Sequence, residues 1–248
     1  MMDLSTGQWI GLAAVALLAG LSKGGVAGLG VLVAAVAANV LPAKQASGFV
    51  LPLLISGDLL ALWLFRRHAG WGHLWRLFPW TVAGLLVGWF TMGRIDDAHA
   101  RLLIGALVIA MVAGHLESRR RAKSAGGPPP PPDWLAPIAG LLAGFTTLVA
   151  NAAGPVMIVY LLAMRLPKLE FLGTSAWFFC ILNLVKVPFM AQLGLVDGGS
   201  LATNALLVPL VVAGALAGRW IAGRLDQQRF ELLALALSGL AGVRLLVG

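Results

Sequence analysis

The fold is decided by residues 6–39, an apolar segment interrupted by Ser22-Lys23-Gly24-Gly25-Val26-Ala27-Gly28-Leu29-Gly30. As one continuous helix this segment would be about 50 Å long, whereas the hydrocarbon core of a bilayer is about 30 Å thick. Its glycines weaken a helix because they lose more backbone entropy than other residues on folding. Two interpretations follow: one long, tilted and kinked helix, or a re-entrant hairpin that enters and leaves the membrane on the same side.

A second segment of the same kind spans residues 134–164. It is interrupted by Thr146-Thr147-Leu148-Val149-Ala150-Asn151-Ala152-Ala153-Gly154-Pro155. Proline has no N–H to donate and is favoured at the first position of a helix, so we expect a new helix to begin at Pro155. The same two interpretations apply to this segment.

The remaining apolar runs are each close to the roughly 20 residues that span a membrane. They lack the alternation expected of barrel strands, so they predict helices. Hydrophobic residues make up 59% of the chain and charged residues only 11%, against about a quarter charged in soluble domains. We therefore predict an all-α polytopic membrane protein. The runs are Ala46–Phe65, Leu74–Met92, Ala98–Leu116, Phe171–Leu193, Leu201–Ile221 and Phe230–Val247.

The chain is also internally duplicated. Residues 1–116 and 134–248 carry matching residues in the same order, and an Arg- and Pro-rich linker, residues 117–133, separates them. A run of prolines in this linker favours an extended, solvated spacer. The matches predict two homologous halves, as in many secondary transporters. The matched pairs include Gly20 with Gly144, Pro42 with Pro167, Gly48 with Gly173, Asp58 with Asn183, Pro79 with Pro209, Gly84 with Gly214 and Gly88 with Gly218. We expect the Gly84/Gly88 and Gly214/Gly218 pairs to form close helix contacts and not ligand contacts.

The distribution of basic residues decides between the two interpretations of the broken segments. If both segments cross the membrane once, the basic clusters of the two halves fall on opposite sides. If both are re-entrant, each half crosses three times, the halves are inverted, and all dense clusters become cytoplasmic, as the positive-inside rule requires. We predict the inverted repeat, with a cytoplasmic linker and both termini periplasmic. The clusters are Arg66, Arg67, Arg76, Arg119–Lys123, Arg165, Lys168, Arg224 and Arg229.

Inverted repeats bring their interrupted helices together near the membrane midplane. The start of a half-helix presents unpaired N–H groups and a positive dipole end, which suit an anion. The sequence therefore predicts a small-anion site between the two broken hairpins, with no metal and no cofactor. The predicted substrate-binding residues are Ser22, Lys23, Gly24, Gly25, Gly28, Thr146, Thr147, Asn151, Gly154, Asn183 and Lys186.

Three ionisable residues lie within apolar segments. A lysine at the membrane centre costs about 2.5–3.5 kcal/mol, so a lysine found there is expected to have a functional or structural role. Lys23 either faces an anionic substrate or is a snorkelling or carboxylate-paired side chain, with Asp58 as the candidate partner. Lys186, one turn after Asn183, either contacts substrate or snorkels. Asp58 is the only acid in these spans, and it either carries a coupling proton or is a structural counter-ion.

Other function classes fit the sequence poorly. The net charge of +8 could suggest nucleic acid, but the basic residues flank apolar runs and do not interleave with aromatic residues. Cys180 is the only cysteine, and the histidines are scattered, which disfavours a metal site. We find no nucleotide-binding loop, nucleophile motif or acid pair that would indicate an enzyme.

With these features the chain resembles the TauE/SafE family of sulfite and organosulfonate exporters, also called the 4-toluene sulfonate uptake permease family. The resemblance covers nearly the whole chain. It rests on Ser22 to Gly30, on Phe49-Val50-Leu51-Pro52-Leu53-Leu54, and on Phe65-Arg66-Arg67-His68 to Trp71. It implies a multi-pass permease of the bacterial inner membrane for small sulfur-containing anions such as sulfite or sulfoacetate. The second half departs from the glycine-rich pattern at Asn151-Ala152-Ala153-Gly154-Pro155.

Two other functions remain open at this point. A passive anion channel of the same architecture would conduct without saturation, and a membrane scaffold subunit would transport nothing. The sequence leaves the direction of transport, the coupling ion and the oligomeric state open.

The inverted topology is testable by cysteine accessibility in a Cys180→Ala background. We expect a cysteine introduced by Ser5→Cys to react with an impermeant thiol reagent from the periplasm only. A cysteine introduced by Ser124→Cys should react from the cytoplasm only, because the linker carries the densest basic cluster. Reaction of both positions from the same side would contradict this topology.

Overall fold

The computed structural model describes residues 4–91, 97–124 and 131–247, which form ten α-helices and one short 3-10 helix without any strand. The all-helical prediction is confirmed. The helices are α1 Thr6–Gly24, α2 Gly30–Val40, α3 Ala43–Phe65, α4 Trp71–Thr91, α5 Asp97–Ser124, α6 Leu135–Ala150, α7 Ala153–Ala163, α8 Lys168–Gln192, α9 Gly198–Arg224 and α10 Gln227–Val247, with the 3-10 helix at Arg66–His68.

Four of the described helices are long and apolar enough to cross a membrane: α3 from Gln45 onward, α8, α9 and α10. They coincide with four of the six predicted spans. The other two predicted spans coincide with α4 and α5, and their crossing of the membrane stays a prediction.

The first long segment is interrupted where the sequence predicts. After α1 ends, Gly25 and Gly28 adopt φ angles of +128° and +100°, a region that residues with a side chain rarely adopt. The segment then folds back on itself. The Gln8 side-chain amide donates to the Val40 carbonyl at 3.4 Å, and Gly30 lies beside Ser22 at the other end. Helices α1 and α2 are therefore antiparallel.

The second long segment is interrupted at Asn151, which ends α6 in the left-handed conformation with φ 53°. Asparagine tolerates this conformation at a helix end better than most residues. The next N–H, of Ala152, donates back to the Thr146 carbonyl at 3.1 Å. Helix α7 then begins at Ala153, so the predicted start at Pro155 is wrong by two residues. Pro155 still fits in the first turn, where backbone N–H groups have no acceptor within the helix.

The chain divides into two compact units, and each combines segments from both sequence halves. Residues 1–69 and 168–230 form the first unit, and residues 70–167 and 231–248 form the second. The division into two homologous halves with a linker is a statement about ancestry, and it stays a prediction.

In the first unit, α3 and α8 are antiparallel. Gly48, near the start of α3, packs against Leu195, just beyond the end of α8. Gly173, near the start of α8, packs against the backbone of Phe65 and His68, at and just beyond the end of α3. Each glycine therefore allows the end of the neighbouring helix to pack closely against it. Gly48 and Gly173 are matched positions in the predicted duplication.

The first unit also contains a close contact between α1 and α9. A side chain at Gly20 would meet the carbonyl of Val211, and one at Gly214 would meet the carbonyl of Leu17. Small residues allow two helix backbones to approach in a membrane, where packing replaces the hydrophobic effect as the driving force. The predicted helix-contact role of Gly214 is confirmed.

The second unit repeats this contact between α4 and α6. A side chain at Gly84 would meet the carbonyl of Leu141, and one at Gly144 would meet the carbonyl of Thr81. Gly84 and Gly144 are the matched residues of Gly214 and Gly20. The two units therefore use matched glycines for equivalent helix pairs, and the predicted role of Gly84 is also confirmed.

Lys168 connects the start of α8 to the end of α9 in the first unit. Its ammonium donates to the carbonyls of Ala222 at 2.8 Å and Leu225 at 2.6 Å. The last carbonyls of a helix have no partner within it, so a cation there satisfies them and complements the helix dipole.

We expect Gly214→Val to destabilise the protein by about 2 kcal/mol or more, because overpacking forces the α1 backbone away from α9. Gly223→Val is the matched control on the same helix, since a side chain there would meet no described atom within 4 Å. Thermal unfolding in detergent measures both variants. Equal melting temperatures for the two would contradict the backbone contact.

Candidate anion-binding site

An ion pair between Lys23 and Asp58 lies at the centre of the first unit. The Lys23 ammonium is 2.6 Å from Asp58 Oδ1, and the side chains of Lys23 and Asp58 are 12% and 0% exposed. Lys23 occupies the last turn of α1, where a cation complements the helix dipole. Asp58 lies on α3. A buried charge is tolerated only when it is paired or hydrogen-bonded, so each residue depends on the other.

The second oxygen of Asp58 accepts a hydrogen bond from α8. The Asn183 side-chain amide donates to Asp58 Oδ2 at 2.7 Å, and both residues are buried. Asp58 and Asn183 are matched positions in the predicted duplication. Contact between two matched residues is what a two-fold axis passing between α3 and α8 would produce.

A second lysine lies near this pair. Lys186 is fully buried and follows Asn183 by one turn on the same helix. It interacts electrostatically with both Lys23 and Asp58. When all three groups are ionised, two ammonium groups and one carboxylate leave one positive charge in excess. An anion of one negative charge would neutralise this group of side chains. Lys23, Asp58, Asn183 and Lys186 together form what we name the Lys23 cluster.

Two contributors to this cluster, Phe179 and Gly57, were not among the predicted site residues. The Phe179 ring lies under the Lys23 ammonium, with 4.4 Å between nitrogen and ring centroid, an arrangement that favours a cation. Gly57 leaves space for the lysine stem, because a side chain there would come within 2.9 Å of Lys23 Cγ. Phe179 could have been found from its spacing, since residues 179, 183 and 186 share one helix face.

For Lys23, the structure confirms pairing with Asp58, one of the alternatives that the sequence left open. Contact of Lys23 or Lys186 with a substrate stays a prediction. Asp58 is confirmed as the counter-ion of Lys23, and its role as a proton carrier also stays a prediction.

The glycines of the first interruption have neighbours within the protein. A side chain at Gly24 would meet the carbonyl of Ala215 on α9, and one at Gly25 would lie 2.8 Å from Ala222 Cβ. These two glycines therefore admit α9, which is a packing role. Ser22 and Gly28 are half-buried, and substrate contact by any of these four residues stays a prediction.

The remaining predicted residues belong to the second unit. Thr146 and Thr147 are buried, and the Thr146 hydroxyl donates to the Ala143 carbonyl of its own helix at 3.4 Å. Asn151 forms the end of α6, and no side chain caps the start of α7. A side chain at Gly154 would meet no described atom within 4 Å. Their participation in an anion site stays a prediction.

Within the described part of the chain, no group of three or more His, Cys, Asp or Glu side chains could hold a metal ion. The polar groups of the Lys23 cluster are ammonium, carboxylate and amide. Such a set can hold an anion or exchange a proton.

Removing one partner of the ion pair should be costly. We expect Lys23→Met to lower the stability by about 3 kcal/mol or more, because Asp58 would be left as an uncompensated buried charge. The double variant Lys23→Met/Asp58→Asn should recover most of this loss. Chemical unfolding of the purified protein measures both, and a double variant no more stable than the single one would contradict the pairing.

Comparison with known proteins gives one match. The family described as Sulfite exporter TauE/SafE matches residues 12–245, nearly the whole chain. No curated protein and no solved structure is significantly similar to the chain. This family consists of membrane transporters, and its match includes every residue of the Lys23 cluster. The chain belongs to the TauE/SafE family of sulfite exporters.

Proposed function

We propose that this protein is a secondary transporter that moves a small sulfur-containing anion, sulfite or an organosulfonate, across the bacterial inner membrane. One observation carries the proposal. The cluster of Lys23, Asp58 and Lys186 is buried among α1, α3 and α8, and it would hold one positive charge in excess when all three groups are ionised. Ionisable groups within membrane segments are costly and usually mark a transport pathway.

The substrate-binding groups in this proposal are the two lysines, with Asn183 as a neutral donor. A sulfonate carries one negative charge, which matches the excess charge of the cluster. Lys23 lies beside the interruption between α1 and α2, where the backbone leaves the helical conformation. Irregular backbone at membrane depth is tolerated where it is buried in protein or lines a cavity.

Asp58 supplies a means of coupling to protons in this proposal. A doubly charged anion, such as fully deprotonated sulfite, carries one more negative charge than the single excess positive charge of the cluster would neutralise. Protonation of Asp58 would remove its negative charge and release Lys23 to the substrate. One proton and one doubly charged anion would then bind together.

We also propose that the two halves are inverted and that α1–α2 is re-entrant. Three observations support this. The matched helices α3 and α8 run antiparallel, the matched residues Asp58 and Asn183 contact each other, and α2 returns along α1. Equivalent helices that run antiparallel in one bilayer have opposite orientations, which defines an inverted repeat.

Flux into liposomes containing the purified protein tests the function. We expect saturable uptake of sulfite and sulfoacetate, with accumulation against a gradient when a pH difference is imposed. Unsaturable flux that never accumulates would favour a passive channel. No flux of any sulfur oxyanion or sulfonate would overturn the proposal.

The role of Asp58 is tested separately with Asp58→Asn, which mimics the neutral carboxyl group. We expect this variant to retain exchange of labelled sulfite across the membrane but to lose accumulation driven by pH. Asp226→Asn is the matched control, because Asp226 is exposed and pairs with Arg229 on the surface. Unchanged pH-driven accumulation in Asp58→Asn would exclude Asp58 as the proton carrier.

A further inference from the structure

The second unit contains a cavity of about 380 Å³ that takes no part in the proposed transport site. It is open on one side and is lined by the first half of α4, the start of α6, the end of α7 and the last prolines of the linker. The residues that matter for its chemistry are Trp75, Arg76, Trp80, Asp133 and Tyr160. It therefore combines a cation, an anion and aromatic surfaces in a small volume.

Tyr160 is the first sign that this cavity binds a ligand. Its side chain is completely buried, and its hydroxyl has no hydrogen-bond partner among the described residues. A buried hydroxyl without a partner destabilises the fold. Arg76 lines the same cavity as Tyr160. A ligand with acceptor oxygens would satisfy both donors at once.

Arg76 is the second residue that indicates a ligand in this cavity. It is exposed on α4 and has no salt bridge to any carboxylate in the described ranges. The position of Arg76 is matched by Leu206 in the second half, and that of Trp80 by Leu210, if Pro79 matches Pro209. The duplicated fold therefore does not require these polar and aromatic residues, and they need a separate explanation.

The outer face of α4 indicates what kind of ligand reaches the cavity. Beyond the cavity this face carries Val82, Leu86 and Phe90, which are 54%, 48% and 68% exposed. Trp75 lies on the same face near the start of the helix, and Trp80 lies near its middle on an adjoining face; their side chains are 69% and 43% exposed. A tryptophan at one end of an exposed apolar helix face is typical of the boundary between lipid headgroups and acyl chains.

We propose that this cavity binds the headgroup of a zwitterionic phospholipid that carries a primary amine, with its acyl chains along the outer face of α4. Arg76 and the Tyr160 hydroxyl donate to the phosphate, since guanidinium groups bind phosphate oxygens in a fixed geometry. Asp133 accepts from the ammonium group, and the indole rings of Trp75 and Trp80 stabilise the same cation.

Asp133 distinguishes this ligand from a purely anionic one. Its carboxylate lines the same cavity as Arg76 and would repel a headgroup that carries only negative charge. The apolar face of α4 distinguishes a lipid from a soluble phosphate ester, which has no acyl chains to cover Val82, Leu86 and Phe90. The site thus specifies both the headgroup and the chains.

Native mass spectrometry of the purified full-length protein tests the proposal with palmitoyl-oleoyl phosphatidylethanolamine as the probe. We expect Arg76→Gln and Tyr160→Phe each to weaken binding by about ten-fold or more, the effect of losing one hydrogen bond to a charged group. Arg67→Gln is the matched control, because Arg67 is an exposed arginine that does not line the cavity. Its affinity for the lipid should equal that of the unchanged protein.

Two competing ligands complete the test. Phosphatidylglycerol should bind more weakly than phosphatidylethanolamine, and Asp133→Asn should reduce this preference. Soluble O-phosphoethanolamine should bind far more weakly than the lipid. Equal binding of phosphatidylglycerol, equal binding of O-phosphoethanolamine, or unchanged lipid binding in both Arg76→Gln and Tyr160→Phe would each overturn the proposal. No measurement here depends on transport, so its outcome is separate from that of the flux experiments.

Discussion

The buried ion pair between Lys23 and Asp58 is the constraint on which the first unit depends. It joins the end of α1 to the middle of α3, and the Asn183 amide adds α8 to the same carboxylate. Each charge is tolerable only because the other is present. The pair therefore ties the last turn of α1, just before the chain reverses into α2, to α3. In the proposed function, a proton on Asp58 or an anion that competes for Lys23 would open this pair.

Close backbone contacts supply the rigidity around this cluster. The contact of α1 with α9 and that of α4 with α6 both use glycines that face backbone carbonyls of the neighbouring helix. In lipid, helix association relies on such packing because burial of apolar side chains gains little over contact with acyl chains. The contact recurs in both units through glycines that are matched in the predicted duplication. In the same predicted alignment the polar residues differ, since Asp58 is matched by Asn183 and Arg76 by Leu206.

Much of this organisation could be predicted from the sequence because the bilayer imposes simple rules. Segment length and glycine content predicted the interruptions of both long helices, and the matched glycines predicted the helix contacts. The start of α7 was misjudged, because the left-handed conformation of Asn151 ends α6 and sets the next helix two residues before Pro155. The pairing of Lys23 with Asp58 remained one of several alternatives, since a sequence gives no distance between α1 and α3. Phe179 and Gly57 were missed because packing roles are common for aromatic residues and glycines in membrane helices.

The central claim is that the excess positive charge of the Lys23 cluster binds the transported anion. Anomalous X-ray diffraction from crystals of the Cys180→Ala variant soaked in selenite, a heavier relative of sulfite, tests it most directly. The account predicts one strong selenium peak within about 4 Å of a lysine ammonium of the cluster, because selenium lies one bond beyond an oxygen that is about 2.8 Å from the nitrogen in a charge-assisted hydrogen bond. A strong peak elsewhere in the protein, with no peak at Lys23 or Lys186, would contradict it.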